Sequence, residues 1–477
     1  MKTPEIELLE VDIAIVGAGP AGLAAAREVS AAGATAALVD SYSRPGGQYF
    51  KQTPQAFRAK RPGRLHHDYT PAQTLFGVVG ESPRLTLLTD TTVWTAYAGE
   101  VGFSLHCYRP DQGSLELRAK KVILAPGAHD RALPFPGWDL PGVMTAGAIQ
   151  TLAKSQRVLP GRKIVLSGSG PFLLPVAALL AESGANIVGV FEATRPRDIL
   201  RYSPSVWSGR SKLGEGAGYL RVLRRHGVPY QFGRAVVRVE GRERVEQVGV
   251  ARLNADWTIV PGSLETLDAD TVGVGYGFSP SLDLSQLLGC EHRYEPIQVA
   301  SFAVHDARQQ STRPGVYVAG EICGIGGSAV ALPQGAVAGL AAALDLDYPL
   351  TQQGVMASRL VAYQAEVRQA QTFAGTLNRM FALKPGWLTW ATPETVICRC
   401  EEVTLGRVQA AITEYDLKNV KAVKLTTRCG MGLCQGRVCG PVVSAITASM
   451  TGRDPADVGS FSNRPIVRPV PLGELAR

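Results

Sequence analysis

The chain has 477 residues, of which 45% are hydrophobic and 19% charged. This length predicts two or three domains, and the ordinary apolar fraction excludes a disordered protein. The 49 Lys and Arg against 41 Asp and Glu give a formal charge of +8, which in so long a chain provides no argument for a nucleic-acid partner. No apolar stretch reaches the roughly 20 residues of a transmembrane segment, and the acidic N-terminus is unlike a secretory signal. We therefore expect a cytoplasmic protein.

The chain begins with a strand, a Gly loop, a helix and a second strand. Residues 11–16 form an apolar run, Gly17, Gly19 and Gly22 follow, and the next apolar run ends at Asp40. In this context a G-x-G-x-x-G loop lets the backbone approach a pyrophosphate, and the acid accepts ribose hydroxyls. A Gly-rich turn without ligand is the alternative. The residues predicted to bind this first dinucleotide are Gly17, Gly19, Pro20, Ala21, Gly22 and Asp40.

Residues 162–192 repeat the same pattern and indicate an internal duplication. Gly168 and Gly170 are present, but Leu173 replaces the third glycine. Glu192 ends the following strand, where it is placed to hold a ribose 2′-hydroxyl and to favour NAD over NADP. Three states stay open for this second site: NAD as hydride donor, a structural adenine nucleotide (NAD or ATP), or no nucleotide.

Three later segments resemble the FAD-contacting motifs of the two-dinucleotide-binding-domain flavoproteins, which include glutathione-reductase-like enzymes. They are PGGQ, VILAPGAHD and GVYVAGE. The resemblance implies an α/β fold with two dinucleotide-binding units, and FAD in the first. It adds Gly46, Gly47, Gln48, Ala125, Gly127, Gly320 and Glu321 to the predicted FAD site. The last motif usually ends in Asp, so Glu321 departs from it by one methylene. The C-x4-C pair of the disulfide reductases is missing from the helix after the first unit, so we do not expect thiol–disulfide chemistry.

Cysteines are concentrated near the C-terminus. Five of the eight lie within a 42-residue window: Cys398, Cys400, Cys429, Cys434 and Cys439. In a cytoplasmic protein this clustering predicts a metal or cluster site rather than disulfides. Thiolates in two close pairs suit a [2Fe–2S] cluster, although tetrahedral zinc uses similar ligands.

The cysteine segment resembles the bacterioferritin-associated-ferredoxin-like (BFD-like) [2Fe–2S] domain of several flavoprotein dehydrogenase subunits. In those relatives the ligands come from C-x-C and C-Q-G-x-x-C. The resemblance therefore implies Cys398, Cys400, Cys434 and Cys439 as ligands, with Cys429 as a fifth thiol. Because Cys429 and Cys434 also have C-x4-C spacing, Cys429 stays open as an alternative ligand.

We predict four parts along the chain. They are a flavoprotein domain at 1–350 with the second dinucleotide-binding subdomain at about 145–280, a helical linker at 351–390, a mainly helical BFD-like domain at 391–460, and an extended tail at 461–477. His66 and His67 fall in a basic loop and are expected to face solvent.

PGGQYFKQ, FPGWDLPGVMTAGA, GSGPFLLPVA, VGYGFSPS and CRCEEVT together resemble the large (α or A) subunit of hetero-oligomeric FAD-dependent amino-acid and opine dehydrogenases. That family includes octopine and nopaline oxidases, D-hydroxyproline and proline dehydrogenases, and the B subunit of hydrogen cyanide synthase.

The resemblance implies that a separate D-amino-acid-oxidase-like β subunit, carrying its own FAD, oxidises the C–N bond. The large subunit receives the electrons and passes them to a quinone or another non-oxygen acceptor, which would also associate it with a membrane. The resemblance leaves room for an FMN at the subunit interface and for a small third subunit. No residue of this chain is predicted to be catalytic.

Two other functions stay open. One is a self-contained NAD(P)H:acceptor reductase, in which nicotinamide loads the second site. The other is a docking subunit with a vestigial second site and a structural cluster.

Overall fold

The computed structural model describes residues 6–54, 56–57, 69–202, 210–346, 353–461 and 464–475, so His66 and His67 lie outside the described residues. The strands are β1 Glu7–Val16, β2 Ala36–Val39, β3 Leu85–Leu88, β4 Thr92–Ala98, β5 Phe103–Arg109, β6 Gly113–Leu124, β7 Ala128–Asp130, β8 Val143–Thr145, β9 Lys163–Gly168, β10 Asn186–Glu192, β11 Tyr230–Phe232, β12 Arg234–Glu240, β13 Gln247–Arg252, β14 Glu265–Asp268, β15 Thr271–Gly275, β16 Phe278–Pro280, β17 His292–Glu295, β18 Ala300–Ala303, β19 Val316–Val318, β20 Val396–Cys398 and β21 Val403–Thr404.

The α-helices are α1 Pro20–Ala31, α2 Tyr69–Glu81, α3 Ala146–Thr151, α4 Leu173–Glu182, α5 Pro196–Arg201, α6 Arg210–Arg225, α7 Asp283–Leu287, α8 Ser328–Leu344, α9 Gln353–Met380, α10 Leu405–Glu414, α11 Val420–Thr427, α12 Cys439–Thr451, α13 Pro455–Val458 and α14 Leu472–Leu475. A π-helix covers Leu152–Gln156, and 3-10 helices cover Gly320–Cys323 and Pro385–Thr389. In the ranges given above, no helix combines the length and the apolar character needed to cross a bilayer.

The first unit is built on a seven-stranded sheet in the order β3-β2-β1-β6-β5-β4, with β19 also on β6. Strand β6 forms both antiparallel and parallel pairs within this sheet. Its first half pairs antiparallel with β5, and its last three residues pair in parallel with β19. Helices α1 and α8 pack closely against each other. A Cβ on Gly335 of α8 would lie only 2.0 Å from the Ala21 carbonyl oxygen of α1. Glycine therefore permits a helix contact that a larger residue would block.

The second unit repeats this organisation. Its parallel sheet has the order β11-β10-β9-β15-β8, and an antiparallel sheet β12-β13-β14 lies beside it. In both units the first two parallel strands, β1 and β2 or β9 and β10, are joined by the helix that follows the Gly loop. The α/β fold with two dinucleotide-binding units that the sequence predicts is therefore present.

Helix α9 follows the first unit and packs on it. On α1, Glu28 is fully buried, and its carboxylate lies 2.5 Å from the Arg359 guanidinium of α9. The Tyr363 hydroxyl donates to the same carboxylate at 3.2 Å. The helical part of the segment 351–390 thus lies against α1 and α8 rather than standing free as a spacer.

The C-terminal domain shares an apolar core with the second unit. That core runs from Trp138 and Val250 through Trp390 to Val443 and Phe461. Trp138 donates its indole N–H to the Val396 carbonyl at 2.5 Å, and Trp390 donates to the Trp257 carbonyl at 2.8 Å. The cysteine-bearing domain is therefore held against the second unit by buried rings and hydrogen bonds.

Candidate functional site

The first Gly loop lies at the carboxyl end of β1, where backbone segments approach one another closely. Gly17 has φ +102°, and a Cβ there would lie 2.2 Å from the Ala125 carbonyl oxygen. A Cβ on Gly22 would lie 1.7 Å from the Gly17 carbonyl oxygen. Gly19, by contrast, is crowded by nothing nearer than 3.9 Å, and it is partly open to solvent. Gly17 and Gly22 are thus required by the fold, whereas Gly19 leaves space for a ligand.

Asp40 and the 46–48 segment surround this loop. The Asp40 carboxylate accepts from the Ala18 N–H at 2.6 Å and from the Tyr42 N–H at 2.8 Å. The Gly46 N–H donates to the Ala18 carbonyl at 2.7 Å, and Gly47 lies against Gly19. Burial raises the pKa of Asp40, although these backbone hydrogen bonds oppose the shift.

The remaining predicted residues meet the same loop, with two exceptions. Gly320 lies against Ala21, since a Cβ at Gly320 would be 3.2 Å from the Ala21 Cβ. Pro20 begins α1. The side chain of Gln48 points away and donates to the Tyr42 hydroxyl at 2.7 Å. A Cβ on Gly127 would have no neighbour within 4 Å, and the Gly127 carbonyl accepts from the Ser281 N–H at 3.0 Å.

Glu321 and Gln334 provide the structural test of an FAD in this unit. One Glu321 oxygen accepts from the Gly327 N–H at 2.8 Å, while its second oxygen is buried without a partner. The Gln334 side chain accepts from the Gly320 N–H at 3.0 Å, and its own NH2 is buried without a partner. Burial raises the pKa of Glu321 to about 7. A buried acceptor and a buried donor left unpaired at the flavin-closing motif fit the hydroxyls and ring edge of a flavin.

The second Gly loop differs from the first because it is covered. Gly168, Ser169 and Gly170 are all buried. The Ser169 hydroxyl lies 3.0 Å from the Thr194 hydroxyl and donates to the Phe381 carbonyl at 3.2 Å, just beyond the end of α9. The chain after α9 therefore lies where a ligand would have to reach this loop.

Glu192 is likewise enclosed. It is 0% exposed, and its oxygens accept from the Gly170 N–H at 3.0 Å and from the Thr194 N–H at 2.9 Å. Burial raises its pKa to about 7. Asp40 likewise accepts from two backbone N–H groups and is 8% exposed, so Glu192 differs in having no solvent access and a covered Gly loop beside it.

The five clustered cysteines are brought together in the C-terminal domain. The thiols of Cys398, Cys429 and Cys439 lie within 4.8 Å of one another. Cys434 contacts Cys439 and Cys400, so the five thiols are continuous. Hydrogen bonds from Cys429 and Cys439 lower the pKa of Cys398, and the same contacts raise the pKa of Cys439, as expected for thiols close enough to share protons.

Two observations point to different sets of four ligands. The close group contains Cys429, which is fully buried, whereas Cys400 is exposed. The neighbouring cavity of about 190 Å³, however, is lined by Cys398, Cys400, Cys434 and Cys439 and not by Cys429. We give more weight to the cavity, because a cluster needs space as well as thiols. The donor set fits a [2Fe–2S] group in either case.

Arg437 joins the cysteine loop to the flavoprotein part. Its guanidinium donates to the Cys434 carbonyl at 3.1 Å, to the Asp283 carboxylate at 2.8 Å and to the Val467 carbonyl at 2.8 Å. Asp283 stands two residues after Ser281, which binds Gly127. A short series of contacts thus leads from the predicted FAD segment to the cysteines.

The comparisons with known proteins agree with this architecture. Residues 11–343 match the pyridine nucleotide-disulphide oxidoreductase family, and residues 396–449 match the BFD-like [2Fe-2S] binding domain. The chain is 35% identical over 479 aligned positions to the A chain of opine oxidase from Rhizobium meliloti, covering 98% of this chain and 87% of the relative. It belongs to the family of these large oxidoreductase subunits.

A second relative and a solved structure extend the match. Hydrogen cyanide synthase subunit HcnB of Pseudomonas protegens is 32% identical over 96% of either chain. The crystal structure of L-proline dehydrogenase from P. horikoshii superposes on all of this chain and 81% of its own with a TM-score of 0.70, at 22% identity, which shows a shared fold. As a member of the family, the chain is an FAD-dependent oxidoreductase subunit with a [2Fe–2S] domain.

Sequence reasoning missed Gln334 and Arg437. Gln334 is a polar residue within the otherwise apolar run SAVALPQGAVAGLAAAL, and that interruption was a usable signal. Arg437 lies between two cysteines of the loop, but its partners Asp283 and Val467 are distant in sequence. Nothing in the local pattern identifies them.

Proposed function

We propose that this chain is the electron-transferring subunit of a heteromeric dehydrogenase for an amino acid or opine. A D-amino-acid-oxidase-like flavoprotein β subunit oxidises the C–N bond, and this chain passes the electrons to a quinone-type or other non-oxygen acceptor. The relatives from opine oxidase and from hydrogen cyanide synthase, each named as one subunit of its enzyme, support a multisubunit enzyme with an amine-type substrate. When bound, FAD accepts electrons in pairs and a [2Fe–2S] cluster accepts one at a time.

The observation that carries this proposal is the contact series from Gly127 through Ser281 and Asp283 to Arg437 and Cys434. It holds the cysteine loop beside the segment predicted to face FAD. In this role the chain's residues bind and orient two redox groups. We assign to the first unit the FAD residues predicted from the sequence, and to the cluster Cys398, Cys400, Cys434 and Cys439.

The covered second loop argues against the alternative of a self-contained NAD(P)H reductase. Glu192 has no exposed surface, and the Ser169 hydroxyl donates its hydrogen bond to the Phe381 carbonyl. A nicotinamide nucleotide would have to displace the chain after α9 and uncover a buried carboxyl. The proposed electron-transfer function needs no ligand at the second Gly loop.

The test is to express the chain alone and with its partner flavoprotein, and to follow flavin and cluster absorbance under anaerobic conditions. NADH and a panel of opines, proline, hydroxyproline and glycine are added in turn. We expect no bleaching of the isolated chain by NADH, and bleaching of the complex by one amino-acid class. Rapid bleaching of the isolated chain by NADH would overturn the relay in favour of the reductase.

A matched variant separates the relay from a docking role. In the complex, Cys434→Ser should leave substrate-dependent flavin bleaching intact while it abolishes electron delivery to a quinone analogue. If the chromophores of this chain stay oxidised with every substrate although the partner's flavin is reduced, the chain has a docking role.

A further inference from the structure

Three cations surround the cysteine group, each beside a different thiol. Arg399 stands between Cys398 and Cys400 in the chain, and Arg464 binds Gln435, the residue after Cys434. Lys424 interacts electrostatically with Cys439. They come from three separate segments: the β20–β21 hairpin, the chain after Phe461, and helix α11. Three separate segments therefore contribute cations near the cluster site.

These cations are held in place by neutral groups. Arg399 donates to the Asp139 carbonyl at 3.1 Å and lies 5.0 Å above the Trp138 ring. Arg464 donates to the Gln435 carbonyl at 2.7 Å and to its side chain. The Lys424 ammonium lies 5.9 Å from the Phe461 ring. The hydrogen bonds and ring contacts of these cations are thus made with neutral groups.

Two of the neighbouring carboxylates are paired with other cations, whereas Asp139 interacts electrostatically with Arg399. Asp283 binds Arg437 at 2.8 Å, and Glu401 binds Arg428 at 2.9 Å. Within the ranges that the structure covers, none of Arg399, Lys424 and Arg464 forms an ion pair with a carboxylate. Lys424 and Arg464 are partly buried, whereas Arg399 is exposed. Such an arrangement is costly unless a negative group completes it.

We propose that Arg399, Lys424 and Arg464 are positioning residues that balance the negative charge of the cluster and raise its reduction potential. A [2Fe–2S] group on four thiolates has a formal charge of about −2 when oxidised and about −3 when reduced. Nearby positive charge stabilises the reduced form more strongly. The three cations therefore make the cluster the better electron acceptor. This inference depends on the cluster part of the proposed function.

The experiment measures the midpoint potential of the cluster in the full-length chain, by potentiometric titration followed by EPR. Arg464→Gln, Lys424→Gln and Arg399→Gln should each shift the potential to more negative values, and the Arg464→Gln/Lys424→Gln pair should shift it further. The shifts for Arg464→Gln and Lys424→Gln should persist at high ionic strength, because these two charges are partly buried, whereas the shift for Arg399→Gln should decrease, because Arg399 is exposed. Lys418→Gln is the matched control: Lys418 is an exposed cation of the same domain that is paired with Asp416, and its loss should leave the potential unchanged.

The outcomes are separable. An unchanged potential in all three variants, with the cluster intact, overturns the inference. If Arg464→Gln loses the cluster, Arg464→Lys decides: retention of both cluster and potential supports charge balance, whereas loss in both variants shows a shape requirement and overturns it. A wild-type chain without a [2Fe–2S] EPR signal after reduction would instead refute the cluster part of the proposed function.

Discussion

At the residue scale, two carboxyls in equivalent positions have different surroundings. Asp40 and Glu192 end the second strand of their units, and each accepts from the N–H of its Gly loop. Asp40 borders the partly open Gly19, whereas Glu192 has no exposed surface. Acidic residues at equivalent places thus lie beside a partly open loop in the first unit and within a closed hydrogen-bonded network in the second.

The burial of Glu192 predicts a specific pH dependence of stability. Because burial raises its pKa from the ordinary 4.5 to about 7, the folded state favours the protonated form. Its contribution to stability is then fully present below about pH 4.5 and is lost as the pH rises through about 7. We expect the thermal midpoint of the wild type, measured against that of Glu192→Gln, to decrease as the pH rises from 5 to 8. The thermal midpoint of the control Glu243→Gln, at an exposed position, should depend on pH as that of the wild type does. The same pH dependence in Glu192→Gln would contradict the prediction.

The five cysteines allow a second prediction at this scale. Cys429→Ser should keep about two iron atoms per chain and the visible spectrum, because Cys429 does not line the cavity. Cys434→Ser should lose most of both. Iron analysis and EPR check this. If iron is instead kept in Cys400→Ser and lost in Cys429→Ser, the fourth ligand is Cys429 and not Cys400.

At the element scale, the loop between β1 and α1 combines glycines of two kinds. Gly17 and Gly22 are required because a Cβ would overlap backbone at 2.2 Å and 1.7 Å, whereas a Cβ on Gly19 would have its nearest neighbour at 3.9 Å. All three glycines belong to one motif, but the physical reason for a glycine differs between the positions. Two positions close the fold, and one leaves space for the cofactor.

This difference predicts that Gly19→Ala separates folding from binding. The variant should unfold at the wild-type temperature in the absence of cofactor, yet bind FAD at least about tenfold more weakly, because the methyl group occupies the approach of the pyrophosphate. Titration of the apoprotein with FAD provides the affinity. Gly80→Ala, at an open helix position, serves as control. Equal FAD affinity in the two variants would show that the pyrophosphate does not pass Gly19.

At the scale of the whole molecule, the second unit and the cysteine domain share one apolar core. Their shared core contains Trp257 and Trp390, whose rings stack at 6.3 Å, and Tyr276 at 5.8 Å from Trp390. Residues 464–475 then return to the first unit, where the Val467 N–H donates to the Trp94 carbonyl at 2.9 Å. The two redox sites are therefore held by long-range contacts rather than by a hinge.

A shared core predicts a shared thermal transition. Loss of cluster absorbance and loss of circular-dichroism signal should coincide in the wild type. Trp390→Ala should cost about 3–5 kcal/mol and lower the transition temperature. Trp390→Phe, which keeps a ring but loses the hydrogen bond to Trp257, should cost about 1 kcal/mol. Separate transitions in the wild type would show that the domains are independent.

The amino-acid sequence determined the two units and the cysteine domain, because Gly spacing, strand periodicity and thiol clustering are local patterns. It also identified most of the first Gly loop, from Gly17 to Gly22 and Asp40, since short segments form that site. Only the tertiary structure decided that the Phe381 carbonyl covers Ser169, that Arg437 binds Asp283, and that Arg464 lies beside Cys434. Those partners are far apart in the chain, and their contacts depend on how helices and domains pack, which no local pattern records.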